Sequence, residues 1–131
     1  MNITPVEKKP FGAIVTDVEL ANLNDETFSL IQVAFLKFGF LLFPTQFLSD
    51  QENIEFGQRF GELEFGASPM SNQEKLAEGH YEKIFSIESQ RMRTNVGNET
   101  WHTDSTYKPI SSKCAMLSAV RVPTEGGATE L

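Results

Sequence analysis

The chain has 131 residues, 40% of them hydrophobic and 22% charged, and carries a formal net charge of −7. That size allows one domain with a core of its own, and the acidic balance excludes a general nucleic-acid binder, whose electrostatic footprint is basic, and gives no support for docking on anionic lipid. A single cysteine, Cys114, excludes an internal disulfide.

In chain order, Met1 to Pro5 lack the basic and apolar regions of a secretion signal, so the cytoplasm is the expected compartment. Phe11-Gly12-Ala13-Ile14-Val15 is a short apolar, β-branched run that predicts a strand. Asn24 and Asp25 offer helix-capping oxygens, and Phe28, Ile31, Phe35 and Phe38 follow at helical spacing, with Gly39 placed to end the helix. Phe40 to Phe43 reads as a buried strand closed by Pro44; with Phe38 and Gly39 it is the longest apolar run, too short to span a bilayer. Ser49-Asp50-Gln51-Glu52 is a capping-box pattern opening a second helix, which is expected to bury Phe56 and Phe60 and to stop at Gly61.

From Glu62 to Glu82 the periodicity dissolves, which predicts a long loop of the kind that serves as a lid. Ile84 to Ile87 reads as a strand. Cys114 to Val122 is apolar on both faces, the pattern of a central strand covered on both sides, with Cys114 a buried thiol. Pro123 and Gly126-Gly127 make a turn, and Thr129-Glu130-Leu131 opens a further strand.

The chemistry concentrates at Trp101-His102-Thr103-Asp104. His and Asp two apart on an extended backbone put an imidazole and a carboxylate on one side. These are two of the three ligands of the 2-His-1-carboxylate arrangement that holds non-haem Fe(II) with open positions. Alone, H-x-D is a weak signal, and a surface imidazole–carboxylate hydrogen bond explains it equally well. His80, beside Gly79, reads as a surface histidine, and Arg91 and Arg93 as solvated loop charges.

Company raises the signal. Phe11 to Val15, Phe38 to Phe43, Phe60-Gly61-Glu62-Leu63, Trp101-His102-Thr103-Asp104 with Ser105-Thr106-Tyr107, and Val122-Pro123 with Gly126-Gly127-Ala128-Thr129 occur in that order. In this the chain resembles the taurine dioxygenase-like (TauD/TfdA) family of Fe(II)- and 2-oxoglutarate-dependent dioxygenases. The resemblance implies a single domain over residues 1–131, mainly β, of double-stranded β-helix (jelly-roll) class, with two N-terminal helices packed on the sheet. It implies His102 and Asp104 as metal ligands, Thr129 as the contact to the 2-oxoglutarate carboxylate, and Asn98 and Tyr107 lining a substrate pocket walled also by Trp101. Fe(II), 2-oxoglutarate and O₂ are the implied cofactor and cosubstrates. The implied reaction converts 2-oxoglutarate to succinate and CO₂ while a small organic substrate is hydroxylated.

The chain also departs from the family pattern. The family's distal histidine and its 2-oxoglutarate-clamping arginine fall beyond Leu131, so the chain is expected to be an N-terminal portion with a missing C-terminal half, inactive alone. Ala128 stands where the turn usually has Asp. Glu64 to Met70 hold neither the His nor the Tyr of taurine-acting members, which argues against taurine. Two further readings remain open: a non-enzymatic remnant that binds a partner through an exposed sheet edge (a second copy or a complementing C-terminal fragment), and a cupin-like or Zn²⁺ hydrolytic site.

Overall fold

The computed structural model describes residues 1–64, 88, 100–106, 108–119 and 122–131, and the backbone of 73–75 and 81–84. The chain divides into two compact units, Met1–Arg59 and Phe60–Leu131.

The first unit is a three-stranded sheet with two helices. Strands β1 (Asn2–Pro5), β2 (Ala13–Thr16) and β3 (Leu41–Leu42) lie in the order β1-β2-β3. β1 runs antiparallel to β2, pairing Asn2 with Thr16 and Pro5 with Ala13, whereas β3 runs parallel to β2, pairing Ala13 with Leu41. Parallel neighbours need a crossover, which helix α1 (Asp25–Phe38) supplies. β1 has no apolar alternation to announce it. Its only buried-leaning residue is Ile3, and Pro5, lacking an N–H, suits an edge position.

α1 runs as its spacing predicts. The Asn24 side chain accepts from the Thr27 N–H at 2.8 Å, Asp25 and Glu26 occupy the first turn, and Lys37 the last, charges that complement the helix dipole. Gly39 ends the helix in the left-handed region at φ 71°, its N–H donating to Phe35 O at 2.8 Å. The core holds Ala13 and Val15 from β2, Leu20 from a short 3-10 turn, Phe28, Ile31 and Ala34 from α1, and Phe56 from helix α2 (Asp50–Gln58). Phe56 meets Phe28 and Phe43 edge to face, with ring centroids 6.4 and 6.1 Å apart. The Gln46 side chain ties the loops together, accepting from Leu20 N and donating to Val18 O, each at 3.0 Å.

Two expectations for this unit need correction. The strand expected over Phe40 to Phe43 shrinks to Leu41–Leu42, and Leu42 is exposed; among the described residues β3 pairs only with β2, at the edge of the sheet. α2 has the full capping box, with Glu52 N–H donating to Ser49 Oγ and Ser49 N–H to the Glu52 carboxylate, but it ends at Arg59, before Phe60. The Arg59 N–H reaches back three residues to Phe56 O, tightening and closing the last turn.

In the second unit, β4 (Gln73–Lys75) and β5 (Tyr81–Ile84) form an antiparallel hairpin with a register irregularity between Glu74 and Lys75. This corrects the long loop expected over 62–82 at 73–75 and 81–82, while 65–72 and 76–80 lie outside the described residues; Gln73-Glu74-Lys75 carry no apolar pattern that could announce a strand. The strand expected from Ile84 begins earlier, at Tyr81, and its remainder lies outside the described residues. The central strand expected over 114–122 is also corrected. Residues 114–119 are coil, Leu117 and Val122 are largely exposed, and Cys114 is half-buried. A strand exists only with a neighbour to receive its N–H and C=O groups, and none pairs with this segment among the described residues. Residues 129–131 are likewise exposed coil. No helix among the described residues is long and apolar enough to cross a membrane.

A candidate metal centre

His102 and Asp104 lie on coil entering a turn, not on a strand. Their side chains nevertheless converge, with His102 Nε2 3.2 Å from Asp104 Oδ1. The other ring nitrogen, Nδ1, lies 2.7 Å from the carbonyl oxygen of Thr100. A carbonyl oxygen only accepts, so Nδ1 carries the hydrogen. In the neutral ring Nε2 is then the lone-pair nitrogen, and it faces a carboxylate oxygen that also offers only lone pairs. Such a contact is favourable once a proton or a metal cation is shared between the two atoms.

The donor set fits a divalent cation. Nitrogen and oxygen ligands at right angles around a metal at about 2.1 Å sit about 3 Å apart, close to the spacing found here. A ligating imidazole commonly donates its second N–H to a backbone carbonyl, which is what Thr100 receives. Among the described residues no group of three His, Cys, Asp or Glu side chains assembles to hold a metal, so the pair offers two donor atoms and no more.

Immediately after Asp104 the chain reverses. Ser105 is buried and takes φ +55°, a left-handed conformation uncommon outside glycine. A backbone bond from Lys108 N to Ser105 O at 3.1 Å closes the turn. Ser105 Oγ donates to both Glu64 carboxylate oxygens at 2.8 and 2.9 Å, and Ser112 Oγ and Lys108 Nζ reach the same carboxylate. The ammonium of Lys108, with the Ser112 and Ser105 hydroxyls, lowers the Glu64 carboxyl to about 2. Ser112 Oγ also lies 3.2 Å from Ser105 Oγ, and Lys113 Nζ donates to Phe60 O at 3.3 Å. Sequence reasoning passed over Glu64, Lys108 and Ser112, because no spacing rule links positions 41 to 48 residues apart.

Of the other expected site residues, Thr129 is exposed on the coil after the Gly126-Gly127 turn, and Trp101 is exposed. Asn98 and Tyr107 lie outside the described residues. Gly126 and Gly127 both have positive φ (70° and 66°), and a Cβ on Gly127 would stand 2.9 Å from Pro123 Cγ. The Gly-Gly pair is therefore required by the turn that presents Thr129.

Comparison with known proteins places the chain in a family. A (S)-phenoxypropionate/alpha-ketoglutarate-dioxygenase of Sphingobium herbicidovorans is 40% identical over 128 residues, covering 98% of this chain and 43% of that protein. An enzyme of the same name from Delftia acidovorans is 38% identical, covering 98% of this chain and 45% of its own length. An alpha-ketoglutarate-dependent 2,4-dichlorophenoxyacetate dioxygenase of Cupriavidus pinatubonensis is 30% identical, covering 92% and 46%. The chain thus spans less than half the length of these relatives. The crystal structure of AAD-2 in complex with Mn(II) and N-oxalylglycine superposes with a TM-score of 0.69 at 23% identity, over 85% of this chain and 40% of that one, a likeness of fold. Residues 2–131 match the family described as taurine catabolism dioxygenase TauD, TfdA, and the chain belongs to that family.

Proposed function

We propose that these residues form the metal-binding N-terminal part of an Fe(II)- and 2-oxoglutarate-dependent dioxygenase domain of jelly-roll architecture. The observation that carries this reading is the convergence of His102 Nε2 and Asp104 Oδ1 at 3.2 Å, with Nδ1 held by Thr100. His102 and Asp104 would hold the iron, which supplies the redox chemistry that couples decarboxylation of 2-oxoglutarate to hydroxylation of the substrate. The chain's own contribution is positional. Thr100 fixes the ring tautomer so that Nε2 presents a lone pair, and Asp104 presents a negative oxygen beside it. By the family resemblance the Thr129 hydroxyl would contact the 2-oxoglutarate carboxylate, and Asn98 and Tyr107 would serve the substrate. The third protein ligand comes from polypeptide outside these 131 residues, so the chain alone turns over little.

For the substrate we propose an aryloxyalkanoic acid. Two relatives at 40% and 38% identity are named for (S)-phenoxypropionate, and a third at 30% for 2,4-dichlorophenoxyacetate. The test is anaerobic addition of Fe(II) and 2-oxoglutarate to the domain, which in this family gives a visible charge-transfer band. The band is expected, with a perturbation on adding (S)-2-phenoxypropionate and none on adding taurine. No band with Fe(II) bound would remove the dioxygenase reading; a band indifferent to the aryloxy acid would remove the substrate assignment alone.

A further inference from the structure

We propose that Glu64 is a positioning residue for the His102–Asp104 pair: its carboxylate gathers Ser105, Lys108 and Ser112 and so holds the turn that aims Asp104 at His102. This rests on the reading of that pair as metal ligands.

The peptide bond after Asp104 leads directly into Ser105, whose φ of +55° lies in the left-handed region that side chains other than glycine rarely adopt. Strain of that kind persists only where the surroundings over-determine it. Three donors on one carboxylate supply the restraint. The Ser105 hydroxyl bridges both Glu64 oxygens, Ser112 donates to one of them with its oxygen 3.2 Å from Ser105 Oγ, and the Lys108 ammonium pairs with the other. The Ser105-to-Lys108 backbone bond lies inside the same knot. An isolated exposed ion pair contributes little. Here the charge instead strengthens hydrogen bonds to two hydroxyls that belong to the loop being folded. Release Glu64, and Ser105 relaxes toward negative φ; Asp104, one bond upstream, then loses its fixed direction while the ring of His102 stays tied to Thr100.

The test uses the 131-residue chain with Mn(II), followed by the electron paramagnetic resonance of the free aqua ion, alongside amide hydrogen exchange at 104–112. Glu64→Ala is expected to weaken Mn(II) binding about 10-fold or more, the scale of lost outer-shell support, and to speed exchange at 105–112, with far-ultraviolet circular dichroism unchanged. Glu64→Gln keeps an acceptor oxygen for the two serines and is expected to recover much of both. Ser112→Ala, which disturbs the knot without touching Glu64, should shift both readouts in the same direction by less. Glu62→Ala, an exposed carboxylate two residues away, should match the parent. Parent-like affinity in Glu64→Ala, with binding lost in His102→Ala, overturns the positioning role and leaves the ligand pair standing. Exchange unchanged in both Glu64→Ala and Ser112→Ala overturns it as well, whatever the affinities. Mn(II) binding indifferent to His102→Ala removes the ligand reading, and this proposal with it.

Discussion

His102 Nε2 stands 3.2 Å from Asp104 Oδ1, while Nδ1 on the far side of the same ring is turned to the Thr100 carbonyl oxygen 2.7 Å away. A ring nitrogen and a carboxylate oxygen at that separation can share a proton or a metal cation, and the backbone carbonyl of Thr100 orients the ring that offers the nitrogen.

Removing either side chain should therefore abolish divalent-metal binding by the domain. His102→Ala and Asp104→Ala are each expected to lower Mn(II) affinity by more than about 100-fold, beyond the usual cost of losing outer-shell support. The intervening Thr103→Ala should bind as the parent does. Titration of Mn(II) with detection of the free ion reads all three, and equal affinity across the series would leave the pair without a metal role.

The pH dependence of stability follows from Glu64. Its carboxyl is lowered to about 2, first by Lys108 and then by Ser112 and Ser105, whereas a glutamate in the unfolded chain titrates near about 4.3. A depressed folded-state pKa stabilises the fold above the unfolded value, and that contribution is lost as pH falls through the folded one. Glu52 is lowered in the same direction by Ser49, so the parent's acid sensitivity is shared. Thermal midpoints of parent and Glu64→Gln, measured from pH 6 to pH 2, should therefore converge as pH falls below about 4.3. A gap that stays constant down to pH 2 would contradict the Glu64 assignment.

What the sequence made legible was local. Asn24, Gly39 and the Ser49–Glu52 box announce both helices because capping is chemistry within four residues. His102 and Asp104 were legible for the same reason, two positions apart. Segments whose structure depends on a distant neighbour were not. β1 is recruited by β2, β4 is all polar and gains its strand form from pairing with β5, and 114–119 has the pattern of a buried strand but no strand beside it among the described residues. Glu64 belongs to the same class, since its partners lie on a loop more than forty residues later and no periodicity joins them.

Gly39 and Gly127 separate backbone strain from crowding. Gly39 sits at φ 71° with open space where a Cβ would stand. Gly39→Ala should cost about 1–2 kcal/mol, the penalty of the left-handed conformation alone, read by urea unfolding of the chain. Gly127 has φ 66° and also meets the Pro123 ring at 2.9 Å. Gly127→Ala should therefore reshape the turn, with chemical-shift changes running from Pro123 to Thr129 and sparing α1. Shifts confined to residue 127 would show that the turn tolerates a side chain.

Along α1 the burial pattern makes a sharper prediction about stability. Ile31 is fully buried among Ala13, Val15 and Phe28 in the core set, whereas Leu36, five residues on, is 82% exposed. Both substitutions to alanine raise helix propensity or leave it level, so any destabilisation comes from lost packing. Ile31→Ala removes buried methyl and methylene groups and leaves a cavity, a change that costs about 2–5 kcal/mol in well-packed cores. Leu36→Ala surrenders little burial and should stay within about 0.5 kcal/mol of the parent. Urea midpoints decide the matter. Comparable losses for the two variants would mean that the outer face of α1 is covered in solution, and that Leu36, with the neighbouring exposed Val33 and Leu30, packs against a surface supplied from outside the first unit.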